Sequence, residues 1–220
     1  MIMRDAMSVL GLATLFSATL LVNDMVIERR LGTMLSNHPA FVVDAGTHSQ
    51  AGESAARMQE LLAMHWTELS RTRAFAVRFT GSRFVSRLVR LGEVATPKTL
   101  NLIATDYRCG FCKADRGAVD DMLRAHPNRD YVFIEAAVLG SESVERAKSA
   151  LRRALGGQED YYALHNRAFD AEPGDDLRTS SDLDVLTEQE RFLEAIGVAA
   201  TPTYIREGIV RTGRMDSPLG

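Results

Sequence analysis

Cys109 and Cys112 are the only cysteines in the chain, and both fall at one turn, after the strand-like run Thr99–Thr105 and before a helical run opening at Lys113. That helix is ended by His126-Pro127-Asn128 and followed by a second apolar run, Tyr131–Ala137. A strand, a helix of this length and a second buried strand imply a parallel crossover, right-handed in nearly all proteins. The centre of the chain is therefore expected to be an α/β unit with the cysteine pair where the first strand gives way to its helix.

A CxxC pair placed in this way is the sequence form of a thiol/disulfide redox centre. The attacking species in disulfide exchange is the thiolate, so a useful cysteine needs a pKa below the free value of about 8.5. The first turn of a helix supplies unpaired N–H groups and the positive end of the helix dipole. Cys109 is accordingly expected to be the nucleophile. Cys112, one turn further on, is placed to attack the mixed disulfide and act as the resolving thiol. Gly110 and Phe111 between them are expected to tune the redox poise. The competing readings are two small buried side chains or a structural disulfide.

No resident metal or cofactor is expected. One CxxC lacks the four ligands of a structural zinc site, and His38, His48, His65, His126 and His165 show no HxxxH or HxH spacing. The metal form that the pair alone would allow is Cu(I) on two thiolates. A net charge of -3 and a pI near 6.0, with no Lys/Arg cluster, argue against nucleic acid as a partner.

With 220 residues, 45% of them hydrophobic, the chain has room for one domain and an appendage. Residues 1–24 read as a signal peptide or membrane anchor, because Ala6 to Val22 carries no charge and follows Arg4. Its length lies between a signal-peptide core and a spanning helix of about 20 residues. The flank Leu20-Leu21-Val22-Asn23-Asp24 is a poor cleavage site, and a uniformly apolar core helix is the competing reading. A catalytic CxxC behind an export signal fits an oxidising envelope compartment, so a periplasmic location is expected, with residues 6–22 as a candidate inner-membrane anchor.

Residues 25–94 read as a helical stalk or N-terminal extension, broken near Asp44–Gly52. After the break, Glu53 and Ser54 can cap an amphipathic helix carrying Met58, Leu61, Leu62 and Trp66. Arg71 to Arg90 alternates arginines with Phe75, Val77, Phe79, Phe84, Val85, Leu88 and Val89. This stretch is expected to be a helix or strand pair packing on the next domain, or else an oligomerisation or membrane-surface segment. Residues 95–220 form the expected main domain, with a helical insert at about 143–196. Within it lie helical runs Ser143–Leu155, Glu159–Phe169 and Thr187–Ile196, and an acidic loop around Glu172–Asp176. Thr203–Arg206 and Ile209–Arg211 read as a short hairpin turning at Glu207-Gly208. Thr201-Pro202 is either an ordinary turn or the best place in the chain for a cis peptide.

The run Thr105–Lys113, followed by Gly197-Val198 and Thr201-Pro202-Thr203, resembles the DsbA-like branch of the thioredoxin superfamily, the bacterial envelope thiol oxidoreductases. Glu135–Val144 and Tyr161–Phe169 also resemble segments of that family, and the likeness covers about residues 95 to 213. It implies a thioredoxin fold with an inserted helical subdomain and a cis Pro202 loop beside Cys109. It further implies that Thr201, Pro202 and Thr203 bind an extended substrate strand. The partners so implied are exported proteins with cysteines and a membrane redox partner. Gly-Phe between the cysteines and Thr before the proline resemble the isomerase and reductase members, which oligomerise, and residues 25–94 would supply the contact. The other reading is a non-catalytic, membrane-anchored assembly or Cu(I)-binding module. The strand position six before Cys109 is Ile103, which leaves Asp106 as the nearby carboxylate in sequence.

Overall fold

The computed structural model describes residues 48–157, 159–171 and 181–215. The expected signal or anchor segment, the first part of the 25–94 extension and the acidic loop at Glu172–Asp176 lie outside the described residues. Among the described residues no helix is long and apolar enough to cross a membrane.

Among the described residues, six strands form one mixed sheet. In chain order they are β1 (Arg73–Thr80), β2 (Arg83–Arg90), β3 (Asn101–Thr105), β4 (Tyr131–Glu135), β5 (Thr203–Arg206) and β6 (Ile209–Thr212), and across the sheet they run β2-β1-β4-β3-β5-β6. The expected parallel crossover is present: Leu102 lies opposite Val132 and Thr105 opposite Glu135. Every residue of β3 and β4 is buried, as befits strands covered on both faces.

Alternation along these strands sends successive side chains to opposite faces. Ile103, Tyr131, Phe133, Phe75 and Val77 enter one core, while Leu102, Ala104, Val132, Ile134 and Ala74 enter the other. Helix α1 (His48–Leu69) covers the second core with Met58, Leu62 and Leu69. After β2 comes the short α2 (Leu91–Val94); the chain between β3 and β4 forms α3 (Gly110–Ala114) and α4 (Arg116–Ala125). Between β4 and β5 lie α5 (Ser141–Leu155), α6 (Tyr161–Ala168) and α7 (Ser181–Ala195), the expected helical insert. Helix α7 serves both cores, with Val185 and Leu186 in one and Phe192 and Leu193 in the other.

The helical reading of 25–94 needs correction over its last part. Residues 73–90 are a β-hairpin, and β1 pairs antiparallel with β4 from Phe75 opposite Phe133 to Val77 opposite Tyr131. The strand pair is thus part of the same sheet as β3. Period-two spacing of Phe75, Val77 and Phe79 is the signal, and the two-residue turn at Gly81-Ser82, both with positive φ, suits a tight hairpin. Three of the arginines are tied down: Arg78 grips Asp130 through Nε and Nη2 at 3.0 and 2.7 Å, Arg87 reaches the same carboxylate at 3.3 Å, and Arg73 reaches Glu188 of α7.

Other boundaries shift for local reasons. Helix α1 starts at His48 rather than at a Glu53/Ser54 cap. The helix after β3 starts at Gly110, not Lys113, because Cys109 is its N-cap, and it is interrupted at Asp115. The β5–β6 hairpin turns at Glu207-Gly208 as expected. Gly208 has φ of +82°, and a Cβ there would lie 2.4 Å from the Gln59 side chain, so α1 closes directly on this turn.

Candidate active site

Thr105 ends β3, and a three-residue loop carries the chain to Cys109. Asp106 holds this loop. Its Oδ1 accepts hydrogen bonds from the Arg108 N–H at 2.7 Å and the Ser143 hydroxyl at 2.8 Å, and its Oδ2 accepts the Leu139 N–H at 3.0 Å. All three donors bind the carboxylate to its own loop and to the start of α5. The Asp106 carboxylate is therefore a staple, its oxygens engaged by these three donors.

Cys109 caps α3, and its Sγ accepts the Cys112 N–H at 3.4 Å. Its thiol donates to the Thr201 carbonyl, also at 3.4 Å, across 92 residues of sequence. The Thr201–Pro202 bond is cis. The two motifs singled out in the sequence therefore meet in space. Both cysteines are free thiols. Gly110 and Phe111 are exposed beside them, Phe111 at 60%.

Thr201 is half-buried, whereas Pro202 and Thr203 are buried. Thr203 sits between Ala104 and Thr212 in the sheet, and its hydroxyl engages the Ala200 carbonyl at 2.7 Å and Thr212 at 3.0 Å. With neighbours on both sides, Thr203 is the floor of the site, and Thr201 is the member of the trio that reaches the surface.

Cys112 faces inward. Burial pushes its thiol up to about 12, against hydrogen bonding from Thr105 and the Asp106 backbone that favours the anion. This has a measurable consequence for the reduced protein. The folded state holds a proton that an unfolded thiol gives up at lower pH, so the stability from this group is complete below the range of a free thiol and is lost as pH rises towards about 12. The thermal midpoint of the reduced wild-type protein is expected to fall more steeply above pH 9 than that of Cys112→Ser; parallel curves would remove burial as the cause.

Beneath the cysteines lies a buried polar cluster that sequence reasoning missed. Glu135, at the end of β4, is 1% exposed; its Oε1 accepts the hydroxyls of Tyr107, at 2.6 Å, and Tyr161. Burial first, and the Glu135 carboxylate second, push both phenols well above their ordinary range. His165 of α6 joins the cluster, its Nδ1 lying 3.1 Å from the Tyr107 hydroxyl and 3.6 Å from Glu135 Oε1. Tyr161 also stacks on Phe75 of β1, with centroids 4.1 Å apart and planes 4° from parallel. A further buried carboxylate, Asp115, accepts the Tyr204 hydroxyl at 2.9 Å and the Met215 N–H at 2.8 Å. Among the described residues, no group of three or more His, Cys, Asp or Glu side chains is placed to hold a metal ion.

No family model matches the chain, and no curated protein matches it in sequence. Solved structures do match in shape. The catalytic domain of Proteus mirabilis ScsC superposes with a TM-score of 0.55 at 17% identity, over 72% of this chain and 91% of that one. The thiol-disulfide exchange protein alpha-DsbA2 from Wolbachia pipientis gives 0.55 at 17% identity, over 78% and 94%. Proteus mirabilis ScsC in a compact conformation gives 0.55 at 14% identity, over 94% and 99%. With the parallel crossover, the helices between β4 and β5 and the cis-proline turn facing a CxxC helix cap, the chain shares its fold with these solved structures.

Proposed function

We propose that the protein is a thiol-disulfide oxidoreductase that exchanges disulfides in exported proteins through Cys109 and Cys112. The observation that carries this reading is the meeting of Cys109 Sγ with the Thr201 carbonyl at the cis Thr201–Pro202 turn, with the Cys112 N–H on the same sulfur. Cys109 is the attacking sulfur and Cys112 the resolving one. A substrate strand lies along Thr201 and Pro202 above the Thr203 floor, and Gly110 and Phe111 set the redox poise. The direction is that of an isomerase or reductase, with a membrane protein as redox partner. The uncharged run Ala6–Val22 supports export to the periplasm and retention at the inner membrane, and residues 25–94 are the segment through which copies would associate.

The first test is competitive alkylation of the reduced protein with iodoacetamide near pH 7, resolved by peptide mass spectrometry. Cys109 is expected to react at least about tenfold faster than Cys112, because the thiolate is the reactive form and burial holds Cys112 protonated. Equal, slow reactivity combined with tight Cu(I) binding would favour the assembly-module reading. The reduction potential of the pair and a refolding assay on a scrambled disulfide substrate then separate oxidase from isomerase and reductase.

A further inference from the structure

Resolution of a mixed disulfide requires Cys112 to lose a proton where bulk water does not reach it, since its residue is 5% exposed. A cavity of about 10 Å³, the size of one water molecule, lies against Cys112 and is lined also by Pro202, His165 and the apolar Ile103, Val119 and Phe133. Tyr107, Tyr161 and Glu135 do not line it. The Nδ1 edge of His165 is on their side, and His165 lines the cavity while they do not. Both phenols donate to Glu135, which leaves their oxygens as acceptors for the one N–H of a neutral imidazole. That arrangement puts the hydrogen on Nδ1 and the lone pair on Nε2. Among the described residues no hydrogen bond engages Nε2.

The other polar groups around the cavity are poor proton acceptors. Tyr204 donates its hydroxyl to Asp115, and burial pushes its acidity far down. Tyr162 likewise donates to Asp120 at 2.6 Å. Arg116 is a cation held by the Asn166 carbonyl and Asp170. Thr105 and Asn166 are neutral. His165 is the one base on the cavity wall among the described residues.

We propose that His165 takes up, through this cavity, the proton that Cys112 loses when it resolves a mixed disulfide at Cys109. The step rests on the exchange reading above. The Cys112 sulfur forms a bond to Cys109 as the Cys109–substrate bond breaks. The substrate sulfur leaves as a thiolate with the electron pair, the dithiol is oxidised to a disulfide, and the proton passes to Nε2. Glu135 and the two tyrosines act behind His165, fixing its tautomer and facing the imidazolium that forms. The helical insert thereby contributes a proton-handling group to a site built on the sheet.

The test uses the full-length reduced protein mixed with glutathione disulfide from about pH 6 to about pH 11, acid-quenched and resolved by mass. Appearance of the glutathione adduct reads attack by Cys109, and its conversion to the internal disulfide reads Cys112. In His165→Gln, attack is expected to be unchanged and resolution to slow roughly a hundredfold near pH 7. The deficit should shrink as pH approaches about 12, where Cys112 ionises unaided. Superimposable resolution profiles overturn the proposal, and so does an equal slowing of both steps at every pH, which reads a structural defect. If circular dichroism shows the variant unfolded, the wild type decides. Resolution slowed in D2O with attack unaffected supports the relay, and resolution insensitive to D2O overturns it. Failure of the wild type to form any adduct refutes the exchange reading itself.

Discussion

Replacing Cys109 by serine is expected to reduce disulfide exchange to background, while Cys112→Ser is expected to yield a protein that accumulates in mixed disulfides with its substrates. The asymmetry follows from where the two sulfurs sit. Cys109 is 7% exposed but lies between exposed Arg108 and Gly110 and opposite half-buried Thr201, so a substrate strand has a route to it. Cys112 is buried against a cavity of about 10 Å³ and carries a thiol pushed up to about 12, which keeps it protonated and out of reach until a mixed disulfide forms beside it. A serine hydroxyl at 109 cannot form the mixed disulfide at all; a serine at 112 permits its formation and blocks its release. Non-reducing electrophoresis after incubation with a scrambled disulfide substrate, followed by mass spectrometry of any adduct, reads both variants at once. Equal turnover in the two would refute the assigned roles.

The part of this site made by neighbours in sequence is legible in the residues themselves. Runs of apolar residues and a CxxC at a strand end locate β3, α3 and β4, and a Thr-Pro pair preceding a strand near the C-terminus locates the opposing turn. The buried proton groups are not legible, for a physical reason. Glu135 stands inside the apolar run Tyr131–Ala137, and its neighbours in sequence do not say what pairs with it. Only the packing of Tyr107 and of Tyr161, 26 residues further along, shows that it is enclosed. Asp106 looks like the functional carboxylate because it is close in sequence, yet three donors commit it to holding the loop. His165 is one of five scattered histidines, and the fold alone brings it to the cavity behind Cys112. The arginine-rich hairpin is ambiguous in sequence because its alternation suits a surface element as well as a strand. The pairing of β1 with β4 resolves it.

That pairing bears on the expected boundary at residue 95. A fragment comprising residues 95–220 is expected not to fold, although it holds both cysteines and the cis-proline turn. Without β1, the backbone of β4 at Tyr131–Phe133 becomes an open sheet edge. The cores lose Phe75 and Val77 on one face, and Met58, Leu62, Leu69 and Leu91 on the other. At about 1.5–3 kcal/mol for each large apolar side chain, the loss is roughly 10–20 kcal/mol, comparable with the whole stability of a typical domain, about 5–15 kcal/mol. Tyr161 would lose its stacking partner Phe75, loosening one donor of the Glu135 cluster behind the active site. Urea unfolding followed by circular dichroism should show a cooperative transition for the full chain and none for the fragment. A cooperative transition in the fragment would make the hairpin an appendage; its absence would mean that the cysteine pair depends on a sheet whose two outer strands, β1 and β2, precede it in sequence.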